Sequence, residues 1–431
     1  MQRLSYTQTI EYLFQQLPMF QRVGAAAYKK DLSNITALCD LLSQPHLKYP
    51  VIHLAGTNGK GSTAHILAAI LQAHGLKIGL HTSPHYQDFR ERIKVNGDYA
   101  PEQFVIDFVA SYKDDWQAIQ PSFFELSVAM AFQYFAEQQV DIAIIETGLG
   151  GELDSTNIVQ PILSIITNIS YDHQQFLGDS LPEIASAKAG IIKAKTPVII
   201  GEKQAEVAGV FERKAKAENA PMTYANQHYR VVLKDQNLHH SVYKVFKNER
   251  LQYDDLEVNL IGNYQQYNLQ TALQALDWIP KNLCEIKEDK IRLGLENLKT
   301  LTTFIGRWQV LSEQPLVLGD SAHNEAGIQA AMNYLRQFSF EQLHIVLGFA
   351  KDKDISKCLA FFPKEAIYYF TAADIPRKLD AVALQAAANK FGLFGSAYES
   401  VSLALKTAKE QSQPNDLIYV GGSIFVLGEV I

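Results

Sequence analysis

A glycine-rich loop that follows a buried apolar run is the feature that most limits how this chain of 431 residues can fold. The run Val51–Ala55 leads into GTNGKGS, and residues 63–74 then have the apolar spacing of a helix. A strand, a glycine turn and a helix in this order form the phosphate-binding unit of a parallel sheet. The sequence therefore predicts an α/β fold in which this loop meets a ligand.

The chemistry of the loop favours a nucleotide phosphate as that ligand. Successive backbone N–H groups and the start of the following helix form a nest for phosphate oxygens. Lys60 can reach the β- and γ-phosphates, and the hydroxyl of Ser62 or Thr63 can lie near a bound metal. The spacing differs from the standard P-loop, because two residues separate Gly56 from Gly59 and a glycine follows the lysine. A glycine turn with a chance lysine is the alternative, which the flanking strand and helix disfavour.

Four more polar residues follow predicted strands or lie in nearby loops, where the carboxyl ends of a parallel sheet would bring them to one edge. A hydroxyl, a carboxylate and an imidazole there could share two Mg²⁺ ions that neutralise a triphosphate. Histidine is an unusual ligand for magnesium, and a lone histidine after a strand or a lysine in a helix is commonly structural. The residues are Ser83 in HTSPH, Glu146 at the end of DIAIIE, His173 after ILSIITN, and Lys188 in AKAGIIK.

The remaining sequence indicates two α/β domains. Apolar runs alternate with helical patterns from residue 51 to 201, as expected for a parallel sheet that helices cover on both faces. Residues 230–260 alternate apolar and polar side chains, which predicts a small antiparallel appendage. A second series of strands and helices begins at Leu316. We therefore expect an N-terminal domain over residues 1–298, a linker over 299–307 and a C-terminal domain over 308–431.

Composition and charge argue against several classes of protein. Hydrophobic residues at 47% and charged residues at 20% are typical of globular proteins. The net charge of -7 argues against non-specific binding to nucleic acid or to a membrane surface. The N-terminus has no apolar signal segment, and no stretch has the length needed to span a bilayer. Three widely spaced cysteines fit free thiols in a reducing compartment, so we expect a cytoplasmic protein.

Six motifs, in order along the chain, resemble those of folylpolyglutamate synthase and dihydrofolate synthase, which belong to the Mur ligase superfamily. The resemblance extends from Met19 to Gly422. It implies a P-loop ATPase-like N-terminal domain, a Rossmann-like C-terminal domain, an active site between them, and a monomeric protein. The motifs are HLAGTNGKGST, TSPH with the following RERI, IETGLGGELDSTNIV, YDHQQFLG, KAGIIK and GDSAHN.

The resemblance also implies roles for individual residues. Lys188 matches the lysine that CO2 converts to a carbamate, and His323 matches a residue near the transferred phosphoryl group or the incoming glutamate. The predicted catalytic residues are Lys60, Glu146, His173, Lys188 and His323. The predicted ligands of two Mg²⁺ ions are Ser62, Ser83, Glu146 and His173. The predicted nucleotide contacts are Thr57, Asn58, Gly59, Lys60, Gly61, Ser62, Asn268, Arg307 and Asp320.

The implied reaction joins L-glutamate to a folate-type carboxylate. The γ-phosphoryl group of ATP passes to that carboxylate, and the amine of glutamate then displaces phosphate to leave ADP and an amide. The acceptor is dihydropteroate, a reduced folate such as tetrahydrofolate, or both. The chain departs from the common motif Asp-Gly-Ala-His-Asn-Pro, because Ser321 replaces the glycine and Glu325 replaces the proline. The segment MFQRVGAAAY resembles a region that lies beside the pterin.

Three other interpretations are weaker. A peptidoglycan-type Mur ligase usually carries a whole domain before its ATP loop, and only about fifty residues precede Gly56 here, fewer than a typical domain. A non-catalytic nucleotide sensor needs the loop alone, whereas Glu146, His173 and Lys188 together favour catalysis. A generic kinase is disfavoured because the chain lacks kinase catalytic-loop signatures.

Overall fold

The computed structural model describes residues 4–18, 31–351 and 355–431. The segment MFQRVGAAAY lies outside the described residues. The chain divides into two compact units. The first contains the chain up to Gln236, His240–Asn259 and Gln265–Phe304, and the second contains Asn237–His239, Leu260–Tyr264 and Ile305–Ile431. That 1–298 and 308–431 are independent domains stays a prediction.

Strands and helices alternate through both units. The strands are β1 (Val51–Ala55), β2 (Ile78–His81), β3 (Ile93–Val95), β4 (Asp98–Tyr99), β5 (Ile142–Glu146), β6 (Leu163–Ile166), β7 (Val198–Ile200), β8 (Met222–Tyr224), β9 (Tyr229–Gln236), β10 (Ser241–Lys247), β11 (Arg250–Val258), β12 (Gln309–Glu313), β13 (Leu316–Gly319), β14 (Leu343–Leu347), β15 (Ile367–Phe370), β16 (Gly395–Ala397) and β17 (Leu417–Gly421). The helices of the first unit are α1 (Tyr6–Gln16), α2 (Ser33–Leu41), α3 (Lys60–Ala73), α4 (Glu102–Tyr112), α5 (Phe123–Glu137), α6 (Gln174–Leu177), α7 (Leu181–Ala189), α8 (Ala208–Ala217), α9 (Ala225–His228), α10 (Gln265–Leu276), α11 (Glu288–Glu296) and α12 (Leu298–Thr302). Those of the second unit are α13 (Glu325–Leu335), α14 (Ile355–Leu359), α15 (Ala381–Asn389), α16 (Val401–Gln411) and α17 (Ile424–Gly428).

The large sheet of the first unit has the strand order β4-β3-β2-β5-β1-β6-β7-β8. From β2 to β8 all neighbours run parallel, whereas β3 and β4 add an antiparallel edge. Every residue of β1 and β5 is buried, because helices cover a parallel sheet and both faces of each strand then meet apolar side chains. Helix α5 begins with a capping box between Ser122 and Glu125, which satisfies two backbone N–H groups at its first turn.

The antiparallel appendage is the three-stranded sheet β11-β10-β9, and the second unit contains a six-stranded sheet in the order β12-β13-β17-β14-β15-β16. In the second sheet only β12 runs antiparallel to its neighbour. Apolar side chains, among them Trp308, Tyr334 and Tyr419, are fully buried around this sheet. The predicted α/β class, with a parallel-sheet N-terminal part, a small antiparallel appendage and a C-terminal α/β part, is confirmed.

The strand order explains why the polar residues gather at one edge of the large sheet. β1 lies between β5 and β6, and the chain leaves β1 to form β2 on one side before it returns through β5 and crosses to β6. Such a switch point opens a crevice at the carboxyl ends of the strands, where open α/β sheets bind ligands. The loop after β1, Glu146 at the end of β5, Ser83 after β2 and the segment 167–173 after β6 all belong to that edge.

The β3–β4 hairpin is one element that the sequence analysis missed. Its two strands are too short to show a periodicity of their own. The turn between them is Asn96-Gly97, with φ of 50° and 82°. Positive φ at both central residues is typical of the type I′ turn, for which Asn-Gly is the strongest sequence signal.

Among the described residues, no helix is long and apolar enough to cross a bilayer.

Candidate active site

Two glycines give the phosphate loop its shape. Gly56 follows β1 with φ of 140°, and Gly59 has φ of 87° immediately before α3 begins at Lys60. A Cβ at Gly56 would collide with Oγ1 of Thr167, and a Cβ at Gly59 would collide with Oδ1 of Asn268. Glycine is therefore required at both positions by backbone conformation and by the close approach of neighbours. The predicted contact residue Asn268, on α10, thus lies against the loop.

The segment that follows β6 holds the loop in place. The backbone N–H of Thr57 donates to the carbonyl oxygen of Asn168 over 2.8 Å, and that of Asn58 donates to Oδ1 of Asn168 over 3.1 Å. Oγ1 of Thr167 donates in turn to the carbonyl oxygen of Asn58 over 2.6 Å. These two loop N–H groups are therefore used inside the protein. The N–H groups of the first turn of α3 have no acceptor within the helix, and they are the donors that the loop offers to an anion.

Lys60, Glu146 and Ser83 come together beside this loop. Nζ of Lys60 donates to the carbonyl oxygens of Gly56 and Thr57, each over 3.2 Å, and lies 3.8 Å from Oε1 of Glu146. The backbone N–H of Ser83 donates to the other carboxylate oxygen, Oε2, over 3.3 Å. Glu146 is buried. The structure thus joins three of the predicted functional residues around one carboxylate.

The next two loop residues lie in the first turn of α3. A Cβ at Gly61 would be 3.5 Å from Oε2 of Glu146, so the helix backbone passes close to this carboxylate. Ser62 is buried in the same turn. A carboxylate oxygen is a hard ligand of the kind that Mg²⁺ prefers, a serine hydroxyl can join it, and the coordination of Mg²⁺ is usually completed by waters and phosphate oxygens. The residues present therefore fit a magnesium–nucleotide complex.

Lys188, on α7, also contacts the phosphate loop. Its Nζ donates to the carbonyl oxygen of Gly56 over 2.8 Å, so that Gly56 accepts from both Lys60 and Lys188. Burial lowers the pKa of Lys188 from 10.5 to about 7. The charge of Lys60 contributes to this decrease in the pKa, while the negative charges of Asp172 and Asp154 oppose it. A lysine that is neutral half of the time at pH 7 is a nucleophile as well as a cation.

His173 occupies a separate position on the same edge. It has φ of 51° and directly precedes the short helix α6. Its backbone N–H donates to Oδ1 of Asp172 over 2.9 Å, and its Nε2 lies 3.8 Å from Oδ2 of that residue. Within the described ranges, no three side chains of His, Cys, Asp or Glu are close enough to hold a metal by themselves. The metal role of His173 with Glu146 stays a prediction.

In the second unit, Asp320 lies at the end of β13 with its carboxylate buried. Oδ2 accepts from the hydroxyl of Tyr264 over 2.7 Å and from the backbone N–H of Trp308 over 3.1 Å. Oδ1 accepts from the backbone N–H of Ala322 over 2.9 Å. Burial raises the pKa of Asp320, while the charge of Arg307 and these hydrogen bonds lower it. The carboxylate is thus held by donors from three parts of the second unit.

Arg307 and His323 both contact Ser321. Nη1 of Arg307 donates to Oγ of Ser321 and, over 3.1 Å, to the carbonyl oxygen of Gly306. Nδ1 of His323 lies 3.0 Å from the carbonyl oxygen of Ser321, which can only accept, so this ring nitrogen carries the hydrogen. The structure therefore groups the three predicted residues Arg307, Asp320 and His323 within the second unit.

Sequence reasoning missed the residues that hold this site together. Asn168 and Thr167 clamp the loop, and a sequence signal existed, since both directly follow the apolar run of β6. Lys94 and His65 form a further buried contact: Nζ of Lys94 lies 3.4 Å from Nε2 of His65, whose Nδ1 bonds to the carbonyl oxygen of Gly61. No local pattern indicates that pair, because it joins the β3–β4 hairpin to α3.

Two family models match the chain. The Mur ligase middle domain matches residues 54–276, and the Mur ligase glutamate ligase domain matches residues 306–424. The first match contains the phosphate loop, Glu146 and Lys188, and the second contains Arg307 and Asp320. The residues around the phosphate loop thus lie in the first matched domain, and the group of Arg307, Asp320 and His323 lies in the second.

Individual proteins are similar over nearly the whole chain. The dihydrofolate synthase/folylpolyglutamate synthase of Bacillus subtilis is 32% identical over 412 residues, which is 93% of this chain and 94% of that protein. Folylpolyglutamate synthase of Mycobacterium tuberculosis, solved with ADP and AMPPCP, has a TM-score of 0.86 at 31% identity and covers 98% of this chain and 97% of its own. E. coli FolC in complex with DHPP and ADP has a TM-score of 0.86 at 27% identity and covers 99% and 97%.

Proposed function

We propose a function from one premise: the chain belongs to the Mur ligase family and, within it, to the folylpolyglutamate and dihydrofolate synthases. It is an ATP-dependent ligase that forms an amide bond between L-glutamate and a folate-type carboxylate, with release of ADP and phosphate. The observation that carries this proposal is the loop Gly56–Ser62 with Lys60, Glu146 and Lys188 gathered on it.

In the first step the loop holds ATP while a substrate carboxylate attacks the γ-phosphorus. The new P–O bond gives an acyl phosphate, and the bond to the β-phosphate breaks so that ADP leaves. Lys60 and the first-turn N–H groups of α3 bind the phosphate oxygens, and positioning and charge stabilisation provide most of the acceleration in such transfers. Ser62, Ser83, Glu146 and His173 would hold Mg²⁺, which would supply further neutralisation of the triphosphate.

In the second step the neutral amine of glutamate attacks the acyl carbon. A tetrahedral intermediate forms and collapses with expulsion of phosphate, which leaves the amide and releases a proton from the amine nitrogen. No side-chain nucleophile is needed, because the acyl phosphate already carries a good leaving group. We assign Arg307 and Asp320 to the nucleotide and His323 to the transferred phosphoryl group or to the incoming glutamate.

We also propose that Lys188 works as a carbamate. The ammonium group first loses one proton to solvent, the neutral amine then forms an N–C bond to CO2, and the nitrogen loses a second proton, so that a cation becomes an anion. The remaining N–H can still donate to the carbonyl oxygen of Gly56, which lies 2.8 Å away. The pKa of about 7 supports this step, since an ordinary lysine is almost wholly protonated at that pH.

Several finer points belong to the proposal. The acceptor is dihydropteroate, tetrahydrofolate or both, because the similar proteins are named as dihydrofolate synthases and folylpolyglutamate synthases. The enzyme works as a monomer in the cytoplasm. The compartment is supported by three cysteines that are buried free thiols, as is usual for proteins in a reducing environment.

The test is phosphate release with ATP, L-glutamate and each pterin substrate in turn. We expect release that requires glutamate together with dihydropteroate or tetrahydrofolate. The variant Lys60→Ala is compared with Lys234→Ala, which changes an exposed lysine of the antiparallel sheet. Near-normal amide formation by Lys60→Ala would remove the loop from the mechanism, and release that depends on a UDP-muramoyl substrate instead would favour a peptidoglycan-type ligase.

A further inference from the structure

Ser321 connects two of the residues that we assign to the reaction. It is 2% exposed and directly follows Asp320. Its hydroxyl accepts a hydrogen bond from Nη1 of Arg307, and its backbone carbonyl oxygen bonds to Nδ1 of His323. One buried residue therefore contacts Arg307 through its side chain and His323 through its backbone. In the common form of this motif a glycine stands at position 321, and glycine has no side-chain acceptor for the guanidinium group.

A hydrogen-bond partner from another segment of the chain helps the guanidinium group of Arg307 to keep one orientation. An arginine side chain has several rotatable bonds and loses conformational entropy when it is fixed. The carboxylate of Asp320 already accepts from Tyr264, Trp308 and Ala322. Its charge acts on Arg307 without fixing a direction. Nη1 of Arg307 also donates to the carbonyl oxygen of Gly306, its own neighbour in the chain, and the hydroxyl of Ser321 adds a directional bond from a different segment.

We propose that Ser321 is a positioning residue that orients Arg307 for the phosphates of the nucleotide. The inference rests on the proposed function, since it takes Arg307 as a nucleotide contact. Ser321 itself does not touch the nucleotide in this scheme. Removal of the Ser321 hydroxyl leaves the charge of Arg307 in place but allows the guanidinium group to adopt other orientations. ATP binding therefore weakens, whereas the rate of the chemical step changes little.

The first measurement is the steady-state kinetics of Ser321→Ala. We expect KM for ATP to rise about tenfold, as for the loss of one hydrogen bond to a charged group, with kcat changed by less than about twofold. Ser321→Cys keeps a side chain of similar size with a weak acceptor and should give the same result. Calorimetric binding of ADP serves as a second measurement that does not depend on turnover.

The control for general destabilisation is Ser400→Ala in the same unit. The side chain of Ser400 caps α16 by accepting from the backbone N–H of Leu403 over 3.2 Å, so its loss weakens the unit without touching Arg307. We expect a lower melting temperature with unchanged KM for ATP. A rise in KM for ATP in this variant equal to that of Ser321→Ala would assign the effect to lost stability and overturn the inference.

A double-mutant cycle with Arg307→Ala decides whether Ser321 acts through Arg307. We expect Arg307→Ala alone to raise KM for ATP, and Ser321→Ala to add nothing in that background. An equal effect of Ser321→Ala in both backgrounds, or no effect in either, overturns the positioning role while the nucleotide role of Arg307 stands. An unchanged KM for ATP in Arg307→Ala overturns both this inference and the assignment of Arg307 in the proposed function.

Discussion

Lys188 should take up CO2 at neutral pH, and the structure provides the magnitude. With a pKa of about 7 in place of 10.5, about half of the Lys188 amines are neutral at pH 7, compared with about one in three thousand for an ordinary lysine. The population able to attack CO2 is therefore larger on the order of 10³-fold. Because carbamate formation itself releases a further proton, the carbamate fraction should keep rising with pH at constant dissolved CO2, and we expect a carbamate at Lys188 already at pH 7, where an ordinary lysine forms almost none.

The measurement is ¹³C NMR of the native protein equilibrated with ¹³CO2 between pH 6 and pH 9. Native conditions are needed because the burial that lowers the pKa is lost on unfolding. Lys188→Met, which keeps an unbranched apolar side chain of similar length, identifies the signal by its loss. In a separate activity assay, Lys188→Ala should lose amide formation and regain part of it when a short carboxylic acid is added to replace the anionic group.

Lys94 supplies an internal comparison within the same protein. It is also buried, and burial lowers its pKa to about 8. Its Nζ, however, donates to the carbonyl oxygens of Thr302 and Thr303 over 3.1 and 3.0 Å and lies 3.4 Å from Nε2 of His65. An ammonium group with three partners should stay protonated at pH 7 and form no carbamate. A protein without a Lys188 carbamate at pH 7 to 8, or a signal that is unchanged in Lys188→Met, would refute the reasoning about Lys188.

Three further variants test other parts of the structure. Lys60→Ala should lower phosphate release by about 10²- to 10³-fold, as for the loss of one charged donor at a transferring group, with an unchanged circular dichroism spectrum; a smaller loss would mean that the loop amides suffice. Asp320→Asn should lower the free energy of unfolding by about 2–4 kcal/mol, as measured by urea denaturation, because the amide NH2 would face a hydrogen-bond donor in a buried position. Unchanged stability would mean that the surrounding donors rearrange easily. Lys94 has a pKa of about 8 in the folded protein and near 10.5 in the unfolded chain, so between these pH values the unfolded chain holds the extra proton. The free energy of unfolding of the wild type relative to Lys94→Met should therefore rise by up to about 3 kcal/mol from pH 8 to 10.5. A difference that does not vary with pH would contradict the buried position of this ammonium group.

The sequence predicted the fold well where local pattern and burial agree. β1 and β5 are fully buried apolar runs, and a strand buried on both faces has no polar alternation that could be confused with an edge strand. The glycine loop was equally readable, since Gly56 and Gly59 both adopt positive φ and few other residues tolerate that backbone. Parallel topology then placed Glu146 and Ser83 at the same edge as the loop.

The contacts that shape the site were less accessible, because they join segments far apart in the chain. Asn168 and the loop residue that it binds are more than a hundred residues apart in the sequence. A strand that ends in Thr-Asn predicts polar side chains at the sheet edge, but it does not indicate which segment they contact. The burial that lowers the pKa of Lys188 is likewise a property of the packed unit. From α7 alone, Lys188 looks like any helical lysine.

Asp320 shows how a residue in a functional motif can act through structure. The motif GDSAHN predicts that Asp320 contacts the nucleotide, and this role stays a prediction. In the structure its carboxylate accepts from Tyr264, Trp308 and Ala322, and so it fixes the backbone directly after Arg307 and directly after Ser321. Since a carboxylate held by these donors has less capacity for a ligand, the same residue can be essential because it keeps Arg307 in position. A motif identifies the residues that matter, but only the pattern of donors and acceptors distinguishes a ligand contact from a support.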